Sequence, residues 1–473
     1  MGPRQAVARS RTTYRVLALL LGCMGILAAC ASVPNVGKAI QASEQSDQRP
    51  TLVGSHGPLS QQQSTAILDR VKNQAGDSDL LDQHLKVEQA LAGSPLVVGN
   101  QTRILRDGEE TFRAMFAAMD GAKKHINLEY YIFEDVESDG RKLGDLLVAK
   151  RQAGVAVNVI YDSYGSIGTP SAFFKRLKAA GVRLVEYNPI NPLDATNGYS
   201  LNDRDHRKIL VVDGATAIIG GVNLSSAYQS HPFGRFVGSD GQPADYWRDI
   251  DLQIDGPAVT QLQKLFVEHW AAQKGPPLDQ ADFFPTVPPK GKQLLRIIGS
   301  TKDDTIPRHY ATLLSAITSA QKTVWVTTAY FVPTDEEKDA LVRAARRGVD
   351  VRLLLPGKSD SEAALAVGHA AYTDLLESGV RIYETQNEVL HSKTAVIDGV
   401  WSVIGSSNFD HRSALFNDEV DAVVLGRETA TQLEAIFQDQ LRNAKEIQLA
   451  SWKGRPFGQK IDETFSSLWQ DLL

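Results

Sequence analysis

Four segments of the chain occur twice in the same order, and this internal duplication constrains the fold more than any other feature. The segment "HRKILVVDGATAIIGGVN" (His206–Asn223) matches "HSKTAVIDGVWSVIGSSN" (His391–Asn408) at the same spacing. The three pairs that precede them are Ala122–Phe133 with Ala320–Phe331, Ala153–Asp162 with Arg347–Pro356, and Ala180–Tyr187 with Ser378–Thr385. We therefore predict two similar halves related by a pseudo-two-fold axis.

The repeated segments carry an α/β pattern. Around the pairs that begin at Ala153 and Ala180, a helical pattern ends at a glycine, and a run of β-branched and aliphatic residues follows. Glycine is common just after a helix C-terminus. Helices that alternate with buried strands indicate an α/β layer fold with a mainly parallel or mixed sheet. The Pro-rich segment Lys274–Gln293 separates the two halves.

Both copies of the most similar segment contain the pattern H-x-K-x4-D. Side chains two residues apart on a strand point to the same side, so His206 should lie beside Lys208 and His391 beside Lys393. An imidazole next to an ammonium is a poor pair for a hydrophobic core, because each charge disfavours the other, but the pair suits a bound phosphate. One such pattern could occur by chance on a surface strand, whereas two copies in register indicate a phosphate site.

The residues that follow each motif fit the same interpretation. Asn223 and Asn408, at the end of the next strand, would add neutral hydrogen-bond donors for phosphate oxygens. The glycines that precede them are expected to let the backbone come close to the ligand. These glycines are Gly220, Gly221 and Gly405.

The first thirty residues differ from the rest of the chain. Four arginines and no acid precede an apolar run from Val16 to Ala29, which is the layout of a secretory signal and is short for a membrane span. The run ends in "LAAC", which resembles the lipobox of bacterial lipoproteins. We expect a signal peptide over 1–29, a lipidated Cys30 and a tether rich in Gln, Ser, Gly and Pro over 30–90. An uncleaved signal anchor is the alternative. With Ala31 in place of aspartate after the cysteine, the resemblance implies the periplasmic face of the outer membrane.

Composition narrows the classes of function. The formal net charge is −6, and loss of the four signal arginines would leave −10, whereas proteins that track nucleic-acid backbones usually carry the opposite charge. The two cysteines, Cys23 and Cys30, both lie in the N-terminal segment. We therefore expect no nucleic-acid partner, and no disulfide or cysteine-based site in the mature chain.

Paired H-x-K-x4-D motifs define the phospholipase D superfamily, which the sequence resembles from about Leu96 to Leu449. The phrases "NLEYYIF", "NDRDHRKILVVDG", "IGGVN", "VLHSKTAVIDG" and "GSSNFDHRSALFNDEV" resemble bacterial cardiolipin synthases within it. The resemblance implies two α/β/α sandwich halves that share one active site, over 91–275 and 294–473, with a linker at 276–293. A monomer is expected to suffice for the active site.

The superfamily resemblance implies phosphoryl transfer without a metal or other cofactor. One histidine attacks phosphorus to form a phosphatidyl-histidine, and the other protonates the leaving alcohol and then deprotonates the incoming one. By family habit His206 is the nucleophile and His391 the acid/base, although the duplicated sequence does not itself distinguish them. The groups expected to stabilise the phosphoryl oxygens are Lys208, Lys393, Asn223 and Asn408.

Four carboxylates complete the predicted site. Asp249 and Glu419 stand at equivalent positions in "DIDLQIDG" and "EVDAVVLG", where superfamily members carry a carboxylate that orients a histidine. A solvated acidic strand end is the alternative. Asp213 and Asp398, the last residues of the catalytic motifs, begin a turn before glycine, so we expect them to bind nearby backbone or a cation rather than to act on the substrate.

The first half also contains an insertion between Asn223 and Asp249 that is rich in glycine and aromatic residues. It is a candidate lid or lipid-contacting loop, and a surface loop without function is the alternative.

The function expected from these features is that of a membrane-anchored phosphatidyltransferase that joins two phosphatidylglycerol molecules into cardiolipin and releases glycerol. Phosphatidylethanolamine is a second candidate substrate. Hydrolysis of phospholipids by a phospholipase D is the first alternative, and hydrolysis of a non-lipid phosphodiester is the second. A non-catalytic lipid-binding protein is disfavoured because both motifs are complete.

Overall fold

A computed structural model describes residues 36–44, 50–74, 76, 78–191, 200, 202–229, 246–359 and 361–455. The predicted signal peptide, Cys30 and residues 230–245 of the insertion lie outside these ranges. Within them, none of the helices combines the length and the apolar character needed to cross a membrane.

The first half is a mixed sheet flanked by helices. Its helices are Asp107–Gly121, Leu143–Gln152, Ser171–Ala179 and Val259–Ala272, with a 3-10 turn at Ser226–Gln229. In spatial order its strands are Arg183–Tyr187, Ala156–Asp162, His125–Tyr130, Lys208–Val212, Thr216–Gly220, Ile250–Asp255 and Leu96–Arg106. The first three strands are parallel to one another and the remaining pairings are antiparallel.

The second half repeats this order of strands. Its helices are Arg308–Ser319, Asp335–Arg346, Glu362–Glu377, His411–Leu415, Arg427–Leu441 and Leu449–Lys453. Its strands are Arg381–Thr385, Asp350–Pro356, Thr323–Thr327, Thr394–Ile397, Trp401–Gly405, Asn417–Leu425 and Gln293–Ser300, with Ala444–Glu446 added at the outer edge. The prediction of a duplicated α/β fold with a mixed sheet is confirmed.

Short strands complete the set. Glu137–Ser138 pairs with Arg141–Lys142, and Phe331–Val332 pairs with Phe409–Asp410. Two further pairings, of Arg204–Asp205 and of Trp247–Arg248, join the halves and are described with the site.

The two sheets meet through their strands and through a shared core. Gln293–Ser300 pairs antiparallel with Leu96–Arg106, so the sheets are continuous at this edge. Along the first motif strand, Ile209 and Val211 join a hydrophobic cluster that includes residues of both sheets, whereas Leu210 and Val212 face the helices of the first half. A strand that is buried on both faces explains the continuous apolar run after each motif lysine.

Residues 36–44, 50–74 and 78–91 pack against the second half, which differs from the predicted tether over 30–90. Leu52–Gly54 pairs with Gly57–Pro58 and with the strand that begins at Leu96. The helices Val36–Glu44, Gln61–Gln74 and Leu80–Leu91 bury apolar side chains in the core of the second half. The polar composition suggested a tether because the leucine spacing that gives these helices an apolar face is diluted by glutamine and serine.

Candidate active site

Both motif histidines line one open cavity of about 230 Å³. The residues around it come from both halves: Tyr131, Ile132, Arg204, His206, Asn223, Trp247, Tyr330, Ser361, Ala364, His391, Asn408, Asp410, Arg412 and Asn417. Lys208 and Lys393 are buried next to the histidines, with exposures of 0% and 3%. The structure therefore brings the predicted histidines, lysines and asparagines to one place.

Two short ladders between the halves position the histidines. Arg204–Asp205, just before His206, pairs in parallel with Asn417–Asp418, just before Glu419. By the same arrangement, Val389–Leu390, just before His391, pairs with Trp247–Arg248, just before Asp249. The His206 amide donates to the carbonyl of Asp418 at 2.9 Å, and the His391 amide donates to that of Arg248 at 2.7 Å. Each histidine is thus set beside the carboxylate of the opposite half.

The carboxylate of Glu419 holds His206. Both of its oxygens lie 3.0 Å from His206 Nδ1. It also accepts hydrogen bonds from the hydroxyls of Ser406 and Ser413 and from the Asn417 amide. Burial alone would raise the pKa of Glu419, but His206, Lys208 and Ser406 outweigh this effect and lower the pKa to about 2. An ionised carboxylate at Nδ1 favours the tautomer whose Nε2 is unprotonated.

Asp249 holds His391 in the equivalent way. Its Oδ2 lies 2.7 Å from His391 Nδ1 and accepts a hydrogen bond from the Tyr228 hydroxyl at 3.1 Å. The same hydroxyl lies 2.8 Å from His391 Nδ1. Tyr228 stands five residues after Asn223, as Ser413 stands five residues after Asn408, so both halves supply a hydroxyl to the carboxylate from the same position. The two arrangements differ in the size of the residue that carries this hydroxyl and in the number of hydrogen bonds that each carboxylate accepts.

Burial and the neighbouring cations lower the pKa of both imidazoles. Burial lowers the pKa of His206 to about 4, although Glu419 opposes the shift. Burial and then Lys393 lower the pKa of His391 below its usual value. Burial also lowers the pKa of Lys208 to about 7, against the opposing effect of Glu419. A phosphate between these groups would replace the solvation that they lack.

The motif aspartates bind backbone in both halves. Asp213, at φ 50°, accepts hydrogen bonds from the amides of Lys123, Lys124 and His125 at 2.7 to 2.9 Å. Asp398, also at φ 50°, accepts from the equivalent amides of 321–323 and from the Ser78 hydroxyl. Each aspartate fastens the turn after the motif strand to the start of the neighbouring strand.

The glycines after the motif strands clear space for carboxylates and not for a ligand, which corrects the prediction made for them. A Cβ at Gly221 would lie 2.1 Å from Asp249 Oδ1, and one at Gly405 would lie 2.0 Å from Asp421 Oδ1. A Cβ at Gly220 would lie 2.2 Å from Asp251 Oδ1. Because a Cβ would overlap these carboxylates, the strand that carries Asp249 and the strand that carries Glu419 can come this close to the neighbouring backbone only where it has a glycine.

One cluster among the described residues has the composition of a metal site. Ligand atoms of Glu129, Asp205 and His269 all lie within 4.8 Å of one another. Burial would lower the pKa of His269, but Glu129, Asp205 and Asp418 outweigh this effect and raise it to about 9. Arg207 Nη1 lies 3.2 Å from Glu129 Oε1. Because protonated His269 and Arg207 already supply cations, we assign these five residues, the interhalf ion cluster, a structural role.

Several residues of the site were not predicted. Tyr228 and Trp247 belong to the described ends of the insertion, and the Trp247 ring lies 5.3 Å from that of His391. Ser406, Ser413 and Asn417 support Glu419. For the hydroxyls of Tyr228 and Ser413, the available signal was their equal spacing of five residues after Asn223 and Asn408, but a hydroxyl at such a position has no distinctive pattern in sequence.

The chain matches known proteins over both halves. A family model described as "Cardiolipin synthase, PLD-like domain" matches residues 115–233 and 313–441. The crystal structure of phosphatidylserine synthase from Haemophilus influenzae shares the fold, with a TM-score of 0.60 and 13% identity over 82% of this chain and 98% of that one.

Curated relatives are more similar in sequence. The chain is 33% identical to a cardiolipin synthase of Alkalihalophilus pseudofirmus over 86% of this chain and 78% of the relative. It is 35% identical to a cardiolipin synthase of Geobacillus thermodenitrificans over 80% of this chain and 74% of the relative. Together with the family model, these matches show that the chain belongs to the cardiolipin synthase family of the phospholipase D superfamily.

Proposed function

We propose that this phosphatidyltransferase makes cardiolipin from two molecules of phosphatidylglycerol and releases glycerol. The observation that carries the proposal is the pair of buried imidazoles in one cavity, each with Nδ1 on a carboxylate of the opposite half. The relatives are named cardiolipin synthases, which supports cardiolipin as the product.

In the first step, His206 Nε2 attacks the phosphorus of the donor lipid. The P–O bond to glycerol breaks as the N–P bond forms, and protonated His391 gives its proton to the leaving oxygen. Glu419 stabilises the positive charge that develops on the His206 ring. Lys208, Lys393, Asn223 and Asn408 stabilise charge on the non-bridging oxygens.

In the second step, the free hydroxyl of an acceptor phosphatidylglycerol takes the place of glycerol. Neutral His391 removes its proton while the new P–O bond forms and the N–P bond to His206 breaks. Atoms and charges balance without a further reactant. Water in the acceptor position would give phosphatidic acid, which is the hydrolytic alternative.

The test of the overall reaction uses purified protein and phosphatidylglycerol vesicles, with products resolved by mass. We expect diphosphatidyl product and free glycerol, and losses of at least about 10³-fold for both His206→Ala and His391→Ala. Phosphatidic acid as the sole product would replace the proposal with phospholipase D activity. Equal turnover by wild type and both variants would refute catalysis at this site.

A donor with a p-nitrophenol leaving group separates the roles of the histidines. This leaving group needs no proton, so His391→Ala should still release one equivalent of nitrophenol in a burst, whereas His206→Ala should release none. The opposite pattern would assign the nucleophile to His391.

We also propose that a lipidated Cys30 holds the enzyme at the periplasmic face of the outer membrane. The LAAC sequence supports this location. A Cys30→Ser variant should lose incorporation of labelled fatty acid and leave the membrane fraction; a variant that remains there would contradict the proposal.

A further inference from the structure

Two arginines line the active-site cavity beyond the duplicated motif residues. Arg204 is 7% exposed, and its Nε has no hydrogen-bond partner among the described residues. Arg412 is partly exposed and donates one hydrogen bond, from Nη2, to the carbonyl of Asn202. Both guanidinium groups are close enough to Tyr131 to lower its pKa, against the larger effect of burial. Because the Tyr131 ring lies 5.5 Å from that of His206, the arginines border the reaction centre.

These arginines break the two-fold symmetry of the site. Arg204 stands two residues before His206, where the second half has Val389 before His391. Arg412 stands four residues after Asn408, where the first half has Ala227 after Asn223. The groups that face the transferred phosphate are present in both halves, whereas the arginines are present once and in the same cavity. The role of the arginines therefore differs from that of the duplicated residues, which bind the one phosphodiester that reacts.

The backbone places the side chain of Arg204 on the same side of the strand as His206, near the expected position of the reacting phosphorus. Alternate side chains of the segment Arg204–Lys208 point to opposite sides: Arg204 and His206 line the cavity, while Arg207 bonds to the buried Glu129. With a rise of about 3.3 Å per residue, the α-carbons of Arg204 and His206 are roughly 7 Å apart along the strand. An anion bound by Arg204 would therefore be close enough to a phosphorus bound at His206 for a few covalent bonds to connect the two groups.

The carboxylates near the arginines leave them able to bind an anion. Asp162 Oδ1 lies 3.3 Å from Arg204 Nη1, but this carboxylate also accepts the amides of Tyr164, Gly165 and Asp205. Asp410, the carboxyl group that lines the cavity, has a pKa that burial raises to about 7. The guanidinium groups thus outweigh the negative charge that faces the cavity near neutral pH.

We propose that Arg204 and Arg412 bind the phosphodiester of the acceptor phospholipid, which does not react. This inference rests on the proposed function, because an acceptor with a second phosphate exists only in cardiolipin synthesis. Water and glycerol carry no such group. The two arginines would therefore favour a lipid acceptor over water and over neutral alcohols, and they would select synthesis over hydrolysis.

The test compares two acceptors in one reaction. Phosphatidylglycerol vesicles are supplied with perdeuterated glycerol, so transfer to lipid gives cardiolipin and transfer to glycerol gives deuterium-labelled phosphatidylglycerol. The ratio of these products does not depend on the amount of folded enzyme or on the rate of the first step. Arg412→Ala, which introduces the residue found at the equivalent position of the first half, should lower the ratio at least about tenfold.

Two further variants complete the experiment. Arg204→Lys keeps the charge and should retain more of the ratio than Arg204→Ala. Arg442→Ala, whose side chain is 78% exposed outside the cavity, should leave the ratio unchanged.

Each outcome decides the question. An unchanged ratio in Arg412→Ala and Arg204→Ala, even with slower turnover, would show that the arginines act on the donor or on the membrane surface and would overturn the subsite. Wild-type protein that labels phosphatidylglycerol but makes no cardiolipin would instead overturn the proposed function, and the subsite with it.

Discussion

The chemistry of the site is decided at the scale of single residues, by the carboxylate on each imidazole. Besides His206, Glu419 accepts hydrogen bonds from two hydroxyls and a side-chain amide, whereas Asp249, besides His391, accepts one from the Tyr228 hydroxyl and one from the Ile250 backbone amide. Two histidines that are equivalent in sequence therefore work in unequal surroundings. This inequality is the physical basis for giving them different roles.

Glu419→Gln should impair the first chemical step. The amide keeps the size of the side chain but removes the charge that stabilises a positive His206 ring, so kcat should fall on the order of 10³-fold with little change in KM. The burst of nitrophenol from the activated donor should slow by a similar factor.

Asp249→Asn is the matched comparison, because it affects His391. It should slow the reaction of phosphatidylglycerol but spare the nitrophenol burst. A Glu419→Gln burst as fast as that of wild type would contradict the assignment of His206 as nucleophile. Melting curves of both variants separate these effects from unfolding.

Sequence comparison identified the groups at the reaction centre because they occur twice, but it did not reveal which carboxylate serves which histidine. Alignment shows that Asp249 and Glu419 are equivalent, and equivalence is compatible with pairing inside a half or across halves. Arg204, Arg412 and Tyr228 have no identical counterpart in the other half, so comparison of the two halves did not identify them.

At the scale of elements, the position of each histidine-binding carboxylate depends on how closely its strand approaches the neighbouring strand. In both halves, the neighbouring strand is followed or ended by a glycine at the point of contact. The ladder of Thr216–Gly220 with Ile250–Asp255 continues to Gly221, which faces Asp249 without a side chain in between. The helix C-termini of the repeat were predictable for a similar reason, since Gly154 and Gly348 both adopt a left-handed conformation, with φ values of 90° and 92°. The packing of residues 50–74 and 78–91 was not predictable in this way, because it depends on the surface that the second half offers.

Gly221→Ala should therefore damage catalysis more than stability. The new Cβ would overlap Asp249 Oδ1, and the carboxylate would have to move away from His391 Nδ1. Displacement of a catalytic group by about 1 Å typically costs on the order of 10²-fold in kcat. The control is Gly121→Ala, where the added Cβ meets nothing within 4 Å. Equal activity of both variants would show that the carboxylate tolerates the methyl group.

At the scale of the whole molecule, the interhalf ion cluster ties the two halves together beneath the site. His269 contacts Glu129 and Asp205 of the first half and lies 3.4 Å from Asp418 of the second. Arg207 donates to the carbonyls of Ser300 and Glu419, both in the second half. The cluster thus shares its charges between residues adjacent to His206 and residues adjacent to Glu419.

The cluster predicts a pH-dependent contribution to stability. The pKa of His269 is about 9 in the folded protein and 6.5 as its ordinary value, so the favourable contribution is complete below pH 6.5 and is lost as the pH rises through 9. The full contribution is on the order of 3 kcal/mol. The groups that face His269 are Glu129, Asp205, Asp418 and the ring of Tyr187.

Urea unfolding of wild type and His269→Gln from pH 6 to 10 tests this contribution. The difference in free energy of unfolding between the two proteins should be largest at pH 6 and should shrink toward pH 10. Taking the difference cancels the opposite trend from Lys208, whose lowered pKa is common to both proteins. A difference that does not vary with pH would show that His269 is neutral in the cluster.

The exchange of carboxylates between the halves has a consequence for how such a chain can change over generations. A substitution that moves the His206 ring changes its contact with Glu419, more than two hundred positions away in the sequence. Recombination at the linker between two diverged relatives would separate each imidazole from the carboxylate that binds it in its own chain. Chimeras joined there should be less active than either parent even when both halves fold, because the two halves form each histidine–carboxylate pair together.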